Sequence, residues 1–140
     1  MGEVIAKVFD TIPAAAERIR RDVFMTEQGY ANEFDEIDDR AEHIVLYEGG
    51  QAVATCRVFT DGDFYVFGRL STVGNLRGRG LGARLLREAE NAARRHGGKY
   101  IKLSARLSAR GFYEKYGYKA VGEIYFDEDQ QHIEMRKELQ

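Results

Sequence analysis

Three glycines and two arginines fall within six residues, Arg77-Gly78-Arg79-Gly80-Leu81-Gly82, and this run fixes the centre of the chain. It follows a β-like segment, Phe64 to Val73, and opens into an amphipathic pattern that starts near Gly80. Glycine takes positive φ at little cost, so the backbone can turn tightly there and bring bare N–H groups close to a ligand. The first turn of a helix adds N–H groups without intrahelical acceptors and the positive end of the helix dipole, which suits phosphate. Arg77 and Arg79 put permanent positive charge at the same corner. The spacing Arg77-x-x-Gly80-x-Gly82 therefore predicts a pyrophosphate-holding loop between a strand and a helix.

Other phosphate motifs fit less well. Gly78-x-Gly80-x-x-Ala83 matches a dinucleotide fingerprint, but that motif wants an acidic residue about 20 positions on, at a strand end. The equivalent stretch here is Tyr100-Ile101-Lys102-Leu103, and the loop follows a fourth strand rather than a first. A Walker loop would need Gly-Lys-Ser/Thr, which the run does not contain. A purely structural glycine turn would leave the flanking arginines unexplained.

The pattern along the chain predicts the order β-α-β-β-β-α-β-α-β-β. Val4 to Phe9 reads as a strand, and Thr11 as a cap for a helix with Pro13 in its first turn. Ile12, Ala15, Ala16, Ile19, Val23 and Phe24 give that helix an apolar stripe to about residue 26. Gln28 to Arg40 reads as a loop or short broken helix. His43 to Tyr47 and Ala52 to Thr60 flank Gly49-Gly50, a hairpin signal, and Asp61-Gly62 leads into the strand Phe64 to Val73. The central helix runs from about Gly80 to His96 on Leu81, Leu85, Leu86, Ala89, Ala92 and Ala93, and Gly97-Gly98 stops it. Tyr100 to Ala105 is a strand and Ser108 to Tyr116 a short helix. Tyr118 to Phe126 and His132 to Lys137 form a closing hairpin. The fold class is α+β, a central mixed sheet of about six to seven strands flanked by helices, in one domain over residues 1–140.

Composition bounds the partners. The chain is 44% apolar and 31% charged with formal net charge −2, which carries no nucleic-acid signature. No window reaches the roughly 18 apolar residues of a membrane span, and no secretory signal is evident at the N-terminus. The single cysteine, Cys56, allows no internal disulfide and fits a cytoplasmic setting. It reads as a small buried residue on a strand face. The three histidines and the cysteine show no metal-ligand spacing, so no metal is expected. Acidic residues concentrate between 33 and 42, and arginines between 77 and 95, so one pole could receive a cation and the other an anion; solvated faces explain the runs equally well.

The element order, the Arg77-x-x-Gly80-x-Gly82 loop and Gly111-Phe112-Tyr113-Glu114-Lys115-Tyr116-Gly117-Tyr118 together resemble the GCN5-related N-acetyltransferases (GNAT). More narrowly, the chain resembles the small bacterial ElaA/YjcF-type group. The shared residues are Ile19-Arg20-Arg21-Asp22-Val23-Phe24, Glu27-Gln28, Asp35-Glu36-Ile37-Asp38, His43, Arg57, Arg69 and His132-x-x-Met135-x-Lys137. The resemblance covers almost the whole chain. Arg106, where that group usually has glutamine, and Arg110, where a small residue or proline is common, depart from it and bear on the polarity of the acceptor side.

The resemblance implies a transferase that moves an acetyl group from acetyl-CoA directly to a primary amine of a small molecule or peptide, without an acyl-enzyme. A non-catalytic CoA-binding or interaction module on the same scaffold is the alternative. The pantetheine arm would lie in a parallel splay between the fourth and fifth strands. Backbone groups of Ser71, Thr72 and Val73 would bond it, as an added strand would be bonded. Arg77, Gly78, Arg79, Gly80, Leu81 and Gly82 would hold the pyrophosphate, and Tyr113 and Tyr116 complete the cosubstrate set. Tyr113 matches the family's thiolate-protonating tyrosine, although Phe112, Tyr113, Tyr116 and Tyr118 also read as a packing cluster. A backbone N–H near Val73 is the expected oxyanion donor. Candidates for the base are Glu33, Asp35, Glu36, His43 and His132, and acidic groups on the acceptor side would draw in an ammonium. A homodimer is left open.

Overall fold

Val4–Phe9 (β1) runs antiparallel to Glu42–Glu48 (β2), which turns through Gly49 and Gly50 into Gln51–Asp61 (β3). The computed structural model that shows this describes residues 3–27, 34–76, 78–127 and 129–140. Between β1 and β2 lies a helix, Ala14–Arg20 (α1), continued by π-helical turns over Arg21–Glu27 and, further on, a 3-10 turn at Glu36–Asp39. Phe64–Thr72 (β4) follows β3, and Leu81–Arg95 (α2) crosses over to Tyr100–Arg106 (β5). A 3-10 turn at Leu107–Ala109 leads into Arg110–Lys115 (α3), and Lys119–Asp127 (β6) pairs with Gln130–Glu138 (β7). The seven strands form one sheet in the order β1-β2-β3-β4-β5-β7-β6, and only β4–β5 is parallel.

Strand alternation sends neighbouring residues to opposite faces, and the sheet is covered on both. Ile44 and Leu46 of β2 join Leu81, Leu85, Leu86 and Ala89 of α2, whereas Val45 joins Ala16 and Ile19 of α1 with Val23. Burying a leucine of this kind stabilises by roughly 1.5–3 kcal/mol, so the α2 face is the main anchor of the central strands. Gly98, just beyond α2, allows a close approach. A Cβ there would lie 2.6 Å from the Tyr65 ring and 2.9 Å from the Ala93 carbonyl.

Two local expectations are corrected. Thr11 does not cap α1: the N-cap is Pro13, extended at φ −78° and ψ 155°, and the helix begins at Ala14. The proline therefore stands outside the first turn, which moves the cap past Thr11. Nor does one regular helix run to residue 26, because the chain widens into π-helical turns after Arg20, and nothing in the apolar spacing signals that widening.

Two charges sit where apolar periodicity places the core. Arg20, four residues on from Ala16, is 1% exposed, and Glu90, between Ala89 and Ala92, is 6% exposed. Each is buried with partners: Arg20 gives two hydrogen bonds to Asp38, and Glu90 accepts from the Tyr118 hydroxyl at 2.7 Å and from Lys137 at 3.2 Å. Cys56 is buried in the core, as the strand pattern predicts.

Candidate functional site

The parallel pair β4–β5 is short. Phe64 faces Tyr100, Tyr65 faces Ile101 and Val66 faces Lys102, and there the pairing stops although β4 continues to Thr72 and β5 to Arg106. Among the described residues, no strand pairs with the β5 side of β4 beyond Val66. On its other side β4 stays paired to β3 with one irregularity. Thr55 faces Ser71 and Arg57 faces Gly68, so Arg69 and Leu70 together lie opposite Cys56. This is a β-bulge, and Arg69 takes φ 54°, in the left-handed region. For a residue with a Cβ that conformation costs about 1–2 kcal/mol, and a bulge leaves its extra residue outside the ladder.

A cavity of about 410 Å³ occupies the gap. Gly68, Arg69 and Leu70 of β4, Ser104 and Arg106 of β5, Tyr113 of α3 and His132 of β7 border it, with Arg57 and Asp127. Tyr113 is buried except for a small fraction, and burial, reinforced by the neighbouring Cys56 thiol, pushes its phenol up to about 12. The phenol is therefore a firmly protonated donor across the neutral range. His132 faces Arg106 across the ladder and accepts Tyr125 as a stacked neighbour at 6.0 Å. Its Nδ1 lies 3.0 Å from the Gln130 carbonyl. A carbonyl only accepts, so Nδ1 donates and Nε2 is the basic nitrogen.

The glycine loop ends β4's run. Gly78 and Gly80 adopt φ 83° and 79°, and a Cβ built at either meets nothing within 4 Å. Gly80 is the N-cap of α2 with no side chain to cap the first-turn N–H groups. A Cβ at Gly82 would sit 3.7 Å from Phe112, so α3 closes over this end of the helix. Tyr116 and Gly80 border a second cavity of about 350 Å³, with Arg84, Arg87 and Lys137. Arg79 donates to Glu48 at 2.7 Å. Arg77 and Glu33 lie outside the described residues.

Other expectations change. Val73 donates its backbone N–H to the Val53 carbonyl at 3.0 Å. That amide is engaged in the sheet and is not available as an oxyanion donor. Because strand amides alternate sides, the Thr72 N–H and carbonyl point to the opening instead. Two carboxylates of the acidic stretch, Asp35 and Asp38, are engaged by arginines and do not stand open to a cation. Asp35 accepts from Arg57 at 2.6 Å and 3.2 Å and from Arg69 at 3.2 Å. The Arg57 hydrogen bond, opposed by burial and aided by the Arg57 and Arg69 charges, holds the Asp35 carboxyl below the usual range, which makes it a poor base. Burial alone would raise Asp38, but hydrogen bonds from Arg20, the Asp35 amide and Arg57 outweigh it and hold that carboxyl at about 2. His43 is also not a base. It is 1% exposed, its Nε2 contacts the Asp38 carbonyl at 2.9 Å, and burial pushes the imidazole down. Glu36 is exposed and does not border the cavity. Of the base candidates within the described residues, His132 alone borders it.

The comparisons with known proteins converge on the same architecture. The family model described as acetyltransferase (GNAT) domain matches residues 12–139. The chain belongs to this family. The uncharacterized N-acetyltransferase YjcF of Bacillus subtilis is 31% identical over 99% of this chain and 100% of its own length. Among solved structures, an acyl-CoA N-acyltransferase from Pseudomonas aeruginosa superposes with TM-score 0.86 at 29% identity, covering 98% of this chain and 99% of that one. Escherichia coli ElaA superposes with TM-score 0.83 at 25% identity over 98% and 99%. This GNAT chain is accordingly an acyltransferase with a cosubstrate of the coenzyme A type. The residues suit such a cosubstrate: an unbonded strand edge for an extended amide arm, and an uncapped helix start for phosphate.

Sequence reasoning missed the bulge at Arg69–Leu70, the cavity's polar wall at Ser104 and Asp127, and the inward turn of Asp35 and Asp38. Gly68 inside a strand pattern was a signal for the first, since glycine there often marks a bulge.

Proposed function

We propose that the protein transfers an acetyl group from acetyl-CoA to a primary amine in a single ternary complex. The observation that carries this reading is the one-sided end of the β4–β5 pairing at Val66 and Lys102, beside a cavity that Tyr113 borders, with β4 followed in the chain by the uncapped start of α2. The pantetheine amides bond the free edge of β4 at Thr72, and the N–H groups between Gly78 and Gly82 hold the pyrophosphate. The acetyl group then lies between the bulge and Tyr113.

His132 Nε2 takes a proton from the ammonium, directly or through water, with Glu33 as the other candidate for that task. The amine nitrogen attacks the thioester carbon, the C–N bond forms, and the negative charge developing on oxygen is met by backbone N–H groups of the bulged β4 segment. The second proton of the attacking nitrogen passes to water as the neutral amide forms, the C–S bond breaks, and the electron pair stays on sulfur. A phenol at about 12 is a weaker acid than a thiol near 8.5, so Tyr113 stabilises the leaving thiolate chiefly by a hydrogen bond rather than by complete proton transfer.

The test is free-thiol release from acetyl-CoA across amines, polyamines, amino sugars, aminoglycosides and lysine peptides. Release with at least one amine class supports the reading. CoA binding without release against every amine would instead assign a binding module. Unperturbed amides at residues 78–82 on CoA titration would remove the cosubstrate site itself.

A further inference from the structure

Arg69 and Asp129 are the two residues other than glycine with positive φ among the described residues. Asp129 stands in the β6–β7 turn, where such a conformation is common; Arg69 stands inside a strand, at the bulge that borders the cavity. Contacts from Ser71 and to Asp35 meet it there. The Ser71 hydroxyl donates to the Arg69 carbonyl at 3.1 Å, and the Arg69 guanidinium donates to Asp35 Oδ2 at 3.2 Å. Asp35 also accepts two bonds from Arg57, the β3 residue facing Gly68 next to the bulge. Behind this pair, Arg20 and Arg57 both donate to Asp38 Oδ1, at 2.8 Å and 2.9 Å, and the Asp35 amide donates to Asp38 Oδ2 at 3.1 Å. Asp35 is thus fixed at its backbone and both carboxylate oxygens.

We propose that Asp35 is a positioning residue for the transfer step: by tying Arg57 on β3 to Arg69 on β4 it holds the bulge in its left-handed form and keeps the Arg69–Leu70 backbone turned toward the opening. Asp35 makes and breaks no bond in the reaction. Its carboxylate is held by two guanidinium groups and by the Ile37 amide, which donates to Oδ1 at 3.1 Å, and its effect on turnover passes through the φ of residue 69. The role presupposes that the opening is the acyl-transfer site.

The test combines Asp35→Asn, Arg69→Gly and the double variant. Asp35→Asn is expected to lower kcat about tenfold while KM for acetyl-CoA stays within about twofold, because a small misplacement of positioned groups costs turnover more than binding. The three-bond HN–Hα coupling of residue 69, which reads φ, moves toward the extended value. In the Arg69→Gly background, where positive φ needs no restraint, the same Asp35→Asn change is expected to cost less than about twofold. An unchanged coupling in Asp35→Asn overturns the proposal, and so does an undiminished kcat cost in the Arg69→Gly background. If Asp35→Asn does not fold, Arg69→Leu leaves the Arg57–Asp35–Asp38 contacts in place and is judged by its turnover: the same tenfold loss supports the restraint and wild-type turnover refutes it. If the unsubstituted protein acylates no amine, the acyl-transfer reading fails while the coupling of residue 69 still decides the role of Asp35 in the bulge.

Discussion

Val66 and Lys102 are the last residues to face one another across the parallel β4–β5 pair, and the cavity that Tyr113 and His132 border takes in the β4 and β5 residues that follow them. Upstream, the sheet bonds itself. Downstream, β4 presents an edge, a bulge and a glycine loop in succession over fewer than 20 residues.

Tyr113 is expected to act on turnover and not on cosubstrate binding. Tyr113→Phe removes the hydroxyl while keeping the packed ring, so kcat falls roughly tenfold or more with acetyl-CoA affinity unchanged. Because burial pushes the phenol up to about 12, it stays protonated, and the rate of the unsubstituted protein shows no alkaline loss attributable to Tyr113 below about pH 11. Steady-state kinetics from pH 6 to the limit of folding, together with calorimetry of CoA binding, checks both statements. Equal kcat for the two proteins would end the assignment.

Replacing Gly80 by alanine tests the phosphate corner. The residue sits at φ 79° with open space around the missing Cβ, so the substitution costs about 1–2 kcal/mol of backbone strain and places a methyl group beside the helix start. A weaker affinity for CoA by about tenfold, read by calorimetry, is expected, with a smaller loss for a CoA fragment lacking the pyrophosphate.

His132 should divide the base candidates. His132→Gln keeps a polar side chain but no basic nitrogen. A kcat loss of about 100-fold at an unchanged KM for acetyl-CoA is expected for a positioned general base. A loss below about threefold would move the task to Glu33 or to solvent.

Acid stability follows from Asp38. Its folded carboxyl titrates at about 2 against 3.8 ordinarily. A depressed carboxyl contributes stability in full above the unfolded value, and the contribution is lost as pH falls toward the folded one. The window is therefore about pH 4 to 2, and its size about 2 kcal/mol. Denaturant unfolding at successive pH values measures it. Asp38→Asn should flatten that dependence and, by leaving Arg20 and Arg57 buried without their shared carboxylate, cost about 3–5 kcal/mol at neutral pH.

The strands and the glycine loop were legible because each has a local cause. Val4–Phe9 is recovered to the residue, and α2 to within one residue at either end, from apolar spacing and flanking glycines. The site was legible less evenly. Tyr113 and His132 border one cavity and Gly80 the other. The direction of the Val73 amide was not legible, because side alternation depends on register, and a bulge resets the register by one. The buried arginine at position 20 was hidden for another reason. Its position is set by Asp38, 18 residues away, and no local pattern carries that partnership.

Glu90 grips Tyr118 and Lys137 from the middle of α2. The helix that begins at the glycine loop and the hairpin that carries His132 are thereby tied to one another. The spacing of these two elements is a property of the scaffold, fixed before any substrate arrives. Phe24 and Phe59 line the first cavity and take no part in that tie, so substitutions that change the girth of acceptor taken are expected to concentrate there.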